Sequence, residues 1–165
     1  AFVGFGRNLF ILTAPLGAHP WTLVTSVYAH IGLGHLLSNA VVLVVAGGLV
    51  AMSTSWARFH LYFIVTGATA GAVQVFALSL FGFPIGVLGA SGAVFALVGY
   101  VLTSNIASKI LLDRLRVPLW AVVLMIVVIA LVLTMQYSAP GSALMAHFTG
   151  ATLGLVAGRF RLLHV

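Results

Sequence analysis

The sequence contains very little charge. Seven Lys or Arg residues and one acidic residue make up 5% of its 165 residues, whereas a soluble domain carries about 25% charged residues. With 62% hydrophobic residues and a mean hydropathy of +1.25, the chain cannot hide its apolar side chains in a water-soluble core. These values predict an integral protein of the lipid bilayer that forms one domain, residues 1–165. The basic residues form no stripe interleaved with aromatics, so we expect no nucleic-acid partner.

Cysteine is absent and carboxylates are almost absent. The lack of cysteine excludes disulfides and cysteine-based metal or redox chemistry. The one acidic residue, Asp113, lies in a basic loop far from the other polar candidates. A Ser/His/Asp triad is therefore excluded, and aspartyl proteolysis and a zinc HExxH helix are disfavoured because each needs a carboxylate. We expect no metal ion and no cofactor.

Long apolar runs dominate the rest of the chain. A bilayer-spanning helix needs about 20 apolar residues, and five runs approach that length, at about 31–50, 59–81, 86–104, 119–136 and 143–158. Residues 1–29 are interrupted by Arg7, Pro15 and Pro20, and we expect there the end of an incomplete first span followed by a long interfacial loop. The predicted fold is all-α, a polytopic transmembrane helical bundle.

The basic residues predict how this bundle is oriented. Alternating the spans across the membrane puts six of them on one face, and these are Arg58, Lys109, Arg114, Arg116, Arg159 and Arg161. By the positive-inside rule that face is cytoplasmic. We expect a multi-pass protein of the plasma (cell inner) membrane whose spans 31–50, 86–104 and 143–158 begin on the outer face.

Three of these spans bring polar side chains to one depth. Asn39, Ser91 and His147 each lie roughly 18 to 21 Å above the cytoplasmic end of their span. Polar residues inside a bilayer are costly and usually face a protein interior or a wet cavity. A serine hydroxyl needs a base to become a good nucleophile, and a neutral imidazole is the usual one. Ser91 alone fits a helix cap and His147 alone fits an interhelical hydrogen bond, but together they favour a catalytic dyad.

Hydrogen-bond donors accompany the proposed dyad. His35 and Asn39 are four residues apart and share one helix face. With the backbone N–H of Ser91 near a helix start, they could stabilise a developing oxyanion. His30 lies off that face, and we expect it to hold the loop that enters the helix.

Small residues would allow the dyad helices to approach closely. They lie around the serine and after the histidine, at Gly89, Ala90, Gly92, Ala96, Gly150, Gly154 and Gly158. Small-xxx-small patterns are also common in membrane helices without any catalytic role. Phe95, one turn after Ser91, could pack against the ring of His147, although core packing is the simpler explanation.

In this order and spacing the motifs resemble the rhomboid family of intramembrane serine proteases. The family pattern is a His, then His-x-x-x-Asn, then Gly-x-Ser-Gly, then a late His followed by Gly-x-x-x-Gly. Here it corresponds to His30, His35 and Asn39, to Gly89, Ser91 and Gly92, and to His147, Gly150 and Gly154. The resemblance extends from about Trp21 to Gly158.

The resemblance implies a function and a role for each site residue. It implies Ser91 as nucleophile and His147 as general base and then general acid, acting through an acyl-enzyme. It implies oxyanion stabilisation by His35, Asn39 and the Ser91 backbone N–H. The implied substrates are transmembrane proteins whose helix unwinds and is cut near the outer membrane face.

Two residues depart from the family pattern. Thr22 follows Trp21 where the family has Arg, and Phe95 stands where many members have Tyr.

Two other functions remain as alternatives. A catalytically silent rhomboid-like scaffold that binds membrane helices is the main alternative, although such relatives usually lack the Ser or the His. A transporter is less favoured because proton-coupled transport generally uses an intramembrane carboxylate. The oligomeric state stays open.

Overall fold

A computed structural model describes residues 6, 8–83, 86–105, 114, 117–139 and 141–164. Two short strands and six helices of the described residues position the site. They are β1 (Leu12–Thr13), α1 (Thr22–Tyr28), α2 (Leu33–Ala51), α3 (Trp56–Leu80), β2 (Gly86–Val87), α4 (Ser91–Thr103), α5 (Leu119–Tyr137) and α6 (Leu144–Arg159). The middle of α2, Leu43–Gly47, is a π-helical turn.

The predicted helical bundle is confirmed in outline, but its elements differ in length. Among the described residues, α2, α3 and α5 are long and apolar enough to cross a membrane. Helix α4 has 13 residues and α6 has 16, so at about 1.5 Å per residue both are shorter than a hydrocarbon layer of about 30 Å. Three helices of the described residues thus qualify as full spans by length and composition, and the predicted number of spans stays a prediction.

The predicted span 86–104 is wrong at its beginning. Gly86–Val87 is a strand that pairs antiparallel with β1, with Leu12 opposite Val87 and Thr13 opposite Gly86. Gly89 has a φ of 132°, a conformation that favours glycine and prevents a helix from starting earlier. Hydropathy alone cannot separate an apolar extended segment from an apolar helix. The consequence is that Ser91 is the first residue of α4.

The region before α2 is more ordered than an interfacial loop. It contains β1 and α1, and the side chains of Trp21 and Tyr28 are exposed. The predicted end of a first span, with Arg7, lies outside the described residues, and so do Lys109, Asp113 and Arg116.

Helices α4 and α6 pack in parallel with their backbones in direct contact. A Cβ added at Gly150 would collide with the carbonyl oxygen of Gly92, and one added at Gly154 would collide with that of Ala96. Further along, the Thr103 hydroxyl donates to the Leu155 carbonyl at 2.8 Å. Since both helices advance together by four residues per contact, their N-terminal ends lie on the same side of the molecule.

Helix α3 runs antiparallel to this pair and covers α4. A Cβ at Gly67 would meet the Ala93 side chain at 3.3 Å, and a Cβ at Gly92 would meet Ala70 at 2.7 Å. The buried core around α4 includes Ala93, Leu97 and Tyr100, each no more than 1% exposed. Helix α4 therefore packs mainly against protein, and Leu102 near its C-terminal end is 47% exposed.

Candidate active site

Ser91 and His147 form a hydrogen bond. Ser91 Oγ lies 2.9 Å from His147 Nε2, which is within the reach that a nucleophile and its base require. Ser91 is the first residue of α4 and His147 is the fourth of α6, so the parallel packing of these helices brings the two side chains together. His147 is 5% exposed and Ser91 is partly buried.

The imidazole of His147 is held on one face and at both nitrogens. Phe95 stacks on the ring with a centroid distance of 4.3 Å and an interplanar angle of 9°, the contact that the sequence allowed beside the simpler alternative of core packing. Ser138 Oγ lies 2.6 Å from His147 Nδ1. Sequence reasoning missed Ser138, because a serine in the Ser-Ala-Pro segment after an apolar run is typical of a loop and no periodicity points to it.

His35 packs onto the segment that precedes Ser91. A Cβ at Gly89 would lie 2.7 Å from His35 Cε1, so only glycine lets the ring approach this closely. The backbone N–H of Gly89 donates to the Ser26 carbonyl at 2.8 Å, which ties the segment to α1. The structure thus holds His35 against the turn that presents the serine.

His30 contacts His35 rather than the dyad. The two rings meet edge to face with centroids 5.1 Å apart, and His30 Nε2 is buried without a hydrogen-bond partner among the described residues. Burial and the neighbouring His35 lower the pKa of His30 below 6.5, and a hydrogen bond to the Tyr28 backbone partly opposes this. His30 lies in the segment between α1 and α2, and its predicted role in holding that loop stays a prediction.

Asn39 lies on the same wall of the site. It is 7% exposed, and its Nδ2 donates to the His35 carbonyl one turn earlier at 2.8 Å. A side-chain amide carries two N–H groups, so this bond fixes the side chain and leaves the second donor for another acceptor. Together with Ser91 and His147, Asn39 lines a pocket of about 340 Å³.

A larger cavity opens beside the dyad. It has a volume of about 710 Å³, and its lining includes His35, Ser91 and His147. The segment between α5 and α6 contributes Ala139, Gly141 and Ser142 to its wall. This cavity is large enough to hold several residues of an extended peptide beside the serine hydroxyl.

Gln74 fixes the start of α6. Its Oε1 accepts a hydrogen bond from the Ala146 backbone N–H at 3.0 Å, which joins α3 to α6. The first N–H groups of a helix lack partners within the helix, and α6 has no side-chain cap of its own. Gln74 therefore satisfies one of these groups beside His147.

The polar side chains of this site are hydroxyls, imidazoles and amides rather than carboxylates. Among the described residues, no three His, Cys, Asp or Glu side chains are grouped so that they could hold a metal ion. The groups present are a hydroxyl, an imidazole and several N–H donors, which are the components of acyl transfer by a serine nucleophile.

Fold and site together define a helical integral membrane protein with a serine–histidine pair in an internal cavity. The family model described as Rhomboid domain matches residues 17–164. The chain belongs to the rhomboid family, which includes intramembrane proteases. The Rhomboid protease GluP of Bacillus subtilis (strain 168) is 36% identical over 88 residues, which make up 52% of this chain and 16% of that relative.

Proposed function

We propose that this chain is an intramembrane serine endopeptidase with Ser91 as nucleophile and His147 as base. The observation that carries the proposal is the 2.9 Å contact between Ser91 Oγ and His147 Nε2, made inside a cavity of about 710 Å³. An alcohol and an imidazole at this distance are the minimum set for nucleophilic attack on an amide.

In the proposed reaction, Ser91 Oγ attacks the scissile carbonyl carbon while His147 Nε2 takes the hydroxyl proton. The tetrahedral intermediate collapses, the C–N bond breaks, and His147 returns the proton to the leaving amine. Water then attacks the resulting ester, with His147 accepting a proton from the water and passing it to Ser91 Oγ as the acid product leaves. The cycle ends with both residues in their starting forms and needs no external oxidant or reductant.

The oxyanion of each tetrahedral intermediate is stabilised by N–H donors. As the first residue of α4, Ser91 has a backbone N–H without an acceptor in its own helix. Asn39 and His35, which line the same pocket as Ser91, supply the remaining donors. Donors fixed before the reaction are worth more than donors that must reorganise.

The proposed substrates are transmembrane proteins, cut near the outer membrane face. A helical segment must unwind before cleavage, because its carbonyls are otherwise hydrogen-bonded within the helix. The dyad lies at the N-terminal ends of α4 and α6, whereas Arg159 and Arg161 lie at the opposite end of α6. By the positive-inside rule the basic end faces the cytoplasm, here beneath a plasma membrane.

Labelling with a fluorophosphonate tests the nucleophile directly. We expect the detergent-purified protein to form a covalent adduct and to cleave a fluorogenic transmembrane substrate, and we expect Ser91→Ala to lose both. Ser79→Ala is the matched control, because Ser79 is exposed and its hydroxyl donates to the Phe76 carbonyl of its own helix, away from Ser91 and His147. An adduct or cleavage that persists in Ser91→Ala would refute the proposal. Wild-type protein that binds transmembrane helices without labelling or cleavage would favour the silent scaffold instead.

A further inference from the structure

Ser138 contacts the nitrogen of His147 that faces away from Ser91. We propose that Ser138 is a positioning residue, whose hydroxyl holds the His147 ring in the orientation and protonation form that the reaction needs. Its Oγ lies 2.6 Å from His147 Nδ1. This inference rests on the proposed protease function and assigns a part of the site that neither the motif pattern nor the dyad includes.

The tautomer of the imidazole explains why this contact matters. A neutral imidazole carries one hydrogen on nitrogen, and Nε2 can accept the Ser91 proton only when that hydrogen is on Nδ1. A hydroxyl at Nδ1 accepts this N–H, and it continues to accept it when the ring becomes an imidazolium. In serine proteases with a triad a carboxylate has this place, but the only acidic side chain of this sequence is Asp113, which lies outside the described residues.

The stacking contact cannot do the same work. Phe95 lies parallel to the ring at 9°, and a ring rotated by 180° about its Cβ–Cγ bond would keep the same plane and the same stack. In that rotated ring carbon atoms would replace both nitrogens, and the hydrogen bonds to Ser91 and Ser138 would both be lost. The two serines therefore select one ring orientation from two that the aromatic stack permits.

Ser138 belongs to a different element from either dyad residue. It is the C-cap of α5, and its backbone N–H donates to the Thr134 carbonyl at 3.2 Å, so the end of that helix fixes its position. Thr134 is itself 2% exposed and bonded to Ala130. The imidazole is thus oriented from α5, while its Cα is fixed by α6.

Steady-state kinetics with a transmembrane substrate test this role. We expect Ser138→Ala to lower kcat by about 3- to 10-fold, the equivalent of one neutral hydrogen bond, with KM unchanged within twofold. Ser138→Thr keeps the hydroxyl and is expected to restore most of kcat. Ser79→Ala, which removes an exposed hydroxyl near the end of α3, should leave both constants unchanged.

The tautomer of His147 distinguishes a positioning role from a purely structural one, because a purely structural role of Ser138 would leave this tautomer unchanged in Ser138→Ala. In protein labelled with ¹⁵N-histidine, with the His147 signals assigned by their loss in His147→Gln, we expect wild type to carry the hydrogen on Nδ1. In Ser138→Ala we expect a mixture of the two tautomers. An unchanged tautomer in Ser138→Ala, or a kcat that Ser138→Thr fails to restore while both variants fold, would overturn the inference. If the protease proposal is wrong, the wild-type protein will neither cleave the substrate nor form the fluorophosphonate adduct. In that case the tautomer measurement still tests the role of Ser138.

Discussion

At the scale of single residues, Asn39 illustrates how a donor is held ready inside a membrane protein. Its amide donates to the carbonyl of His35 in the same helix, and little of the side chain is exposed. Because one N–H is used to fix the amide, the direction of the other is set before substrate arrives. In the proposed reaction this second N–H is an oxyanion donor, and a donor fixed in advance stabilises a transition state better than one that must reorganise.

Replacing Asn39 should therefore slow the chemical step rather than weaken binding. We expect Asn39→Ala to lower kcat by roughly 100- to 1000-fold, since one lost oxyanion donor costs about 3 to 4 kcal/mol, with a small change in KM. Asn105→Ala is a matched control, because the Asn105 amide likewise donates to a nearby backbone carbonyl, that of Leu102, but lies beyond the far end of α4. A kcat within threefold of wild type in Asn39→Ala would remove Asn39 from the oxyanion site.

His30 makes the stability of the site region depend on pH. Burial lowers the pKa of the folded protein's His30 below 6.5, whereas the unfolded chain keeps the ordinary value. Between these two values the unfolded state binds more protons, so stability decreases as the pH falls. The contribution of His30 is complete above pH 6.5 and is lost as the pH falls from there through the lowered pKa.

Thermal unfolding in detergent between pH 8 and pH 5 checks this direction. We expect the melting temperature of the wild type to fall on acidification, and we expect a shallower fall in His30→Gln. His164 acts in the same sense, because burial and Arg161 lower its pKa too, so some slope should remain in His30→Gln. Identical slopes in wild type and His30→Gln would contradict the assignment.

At the scale of helices, the contact between α4 and α6 determines whether the dyad forms at all. The backbones touch at Gly150 and Gly154, where no side chain has room. Each methyl group added there must push the helices apart, and overpacking of this kind typically costs about 1 to 3 kcal/mol.

We expect Gly154→Ala to lower the melting temperature and to reduce fluorophosphonate labelling together, since the added Cβ collides with the Ala96 carbonyl. Gly48→Ala is the control, because a Cβ there has no atom within 4 Å, and a helical glycine replaced by alanine usually gains about 0.5 to 1 kcal/mol. Equal melting temperatures for the two variants would show that the contact is looser than described.

Sequence reasoning predicted some elements well and others poorly for physical reasons. The apolar runs near α2, α3, α5 and α6 fall within a few residues of the helices, because sustained hydropathy reports burial in lipid or protein. The beginning of α4 was wrong, since the pairing of β2 with β1 is a long-range contact that no local pattern contains. Ser138 was missed because its hydrogen bond to His147 joins the end of α5 to α6, a contact that no periodic pattern contains.

The site motifs were more informative than the span boundaries. The spacing of His35 and Asn39 places them on one helix face, and the shared depth of Ser91 and His147 follows from counting residues. What spacing could not provide is the distance between Ser91 and His147, which depends on the register of α4 against α6. That register is set by Gly92 opposite Gly150, a pairing that becomes visible only in the structure.

At the scale of the whole molecule, the two ends of the bundle carry different polar groups, basic side chains at one end and the serine–histidine pair at the other. Arg58 donates to the His164 carbonyl at 3.5 Å, so the start of α3 and the end of the chain share the basic end. Gln74 and Ala146 lie at the other end, beside the dyad. This separation supports the proposed orientation, in which the positive-inside rule puts the basic end on the cytoplasmic side.

Because the sequence has no cysteine, single cysteines can report this orientation without background. We expect Phe81→Cys, at the dyad end, to react with a membrane-impermeant maleimide on intact bacterial spheroplasts. Met52→Cys, at the basic end, should react only after permeabilisation. Both native side chains are at least 75% exposed, so access to reagent is comparable. The opposite labelling pattern would reverse the proposed orientation.

The short helix α4 has a consequence for how such a protein adapts to its bilayer. Since α4 packs mainly against other helices, its 13 residues need not match the thickness of the hydrocarbon layer. The helices whose length must match the hydrocarbon thickness are instead α2, α3 and α5, which have exposed apolar outer surfaces. Evolution can therefore lengthen or shorten these outer helices to suit thicker or thinner membranes while the helix that bears the nucleophile stays the same.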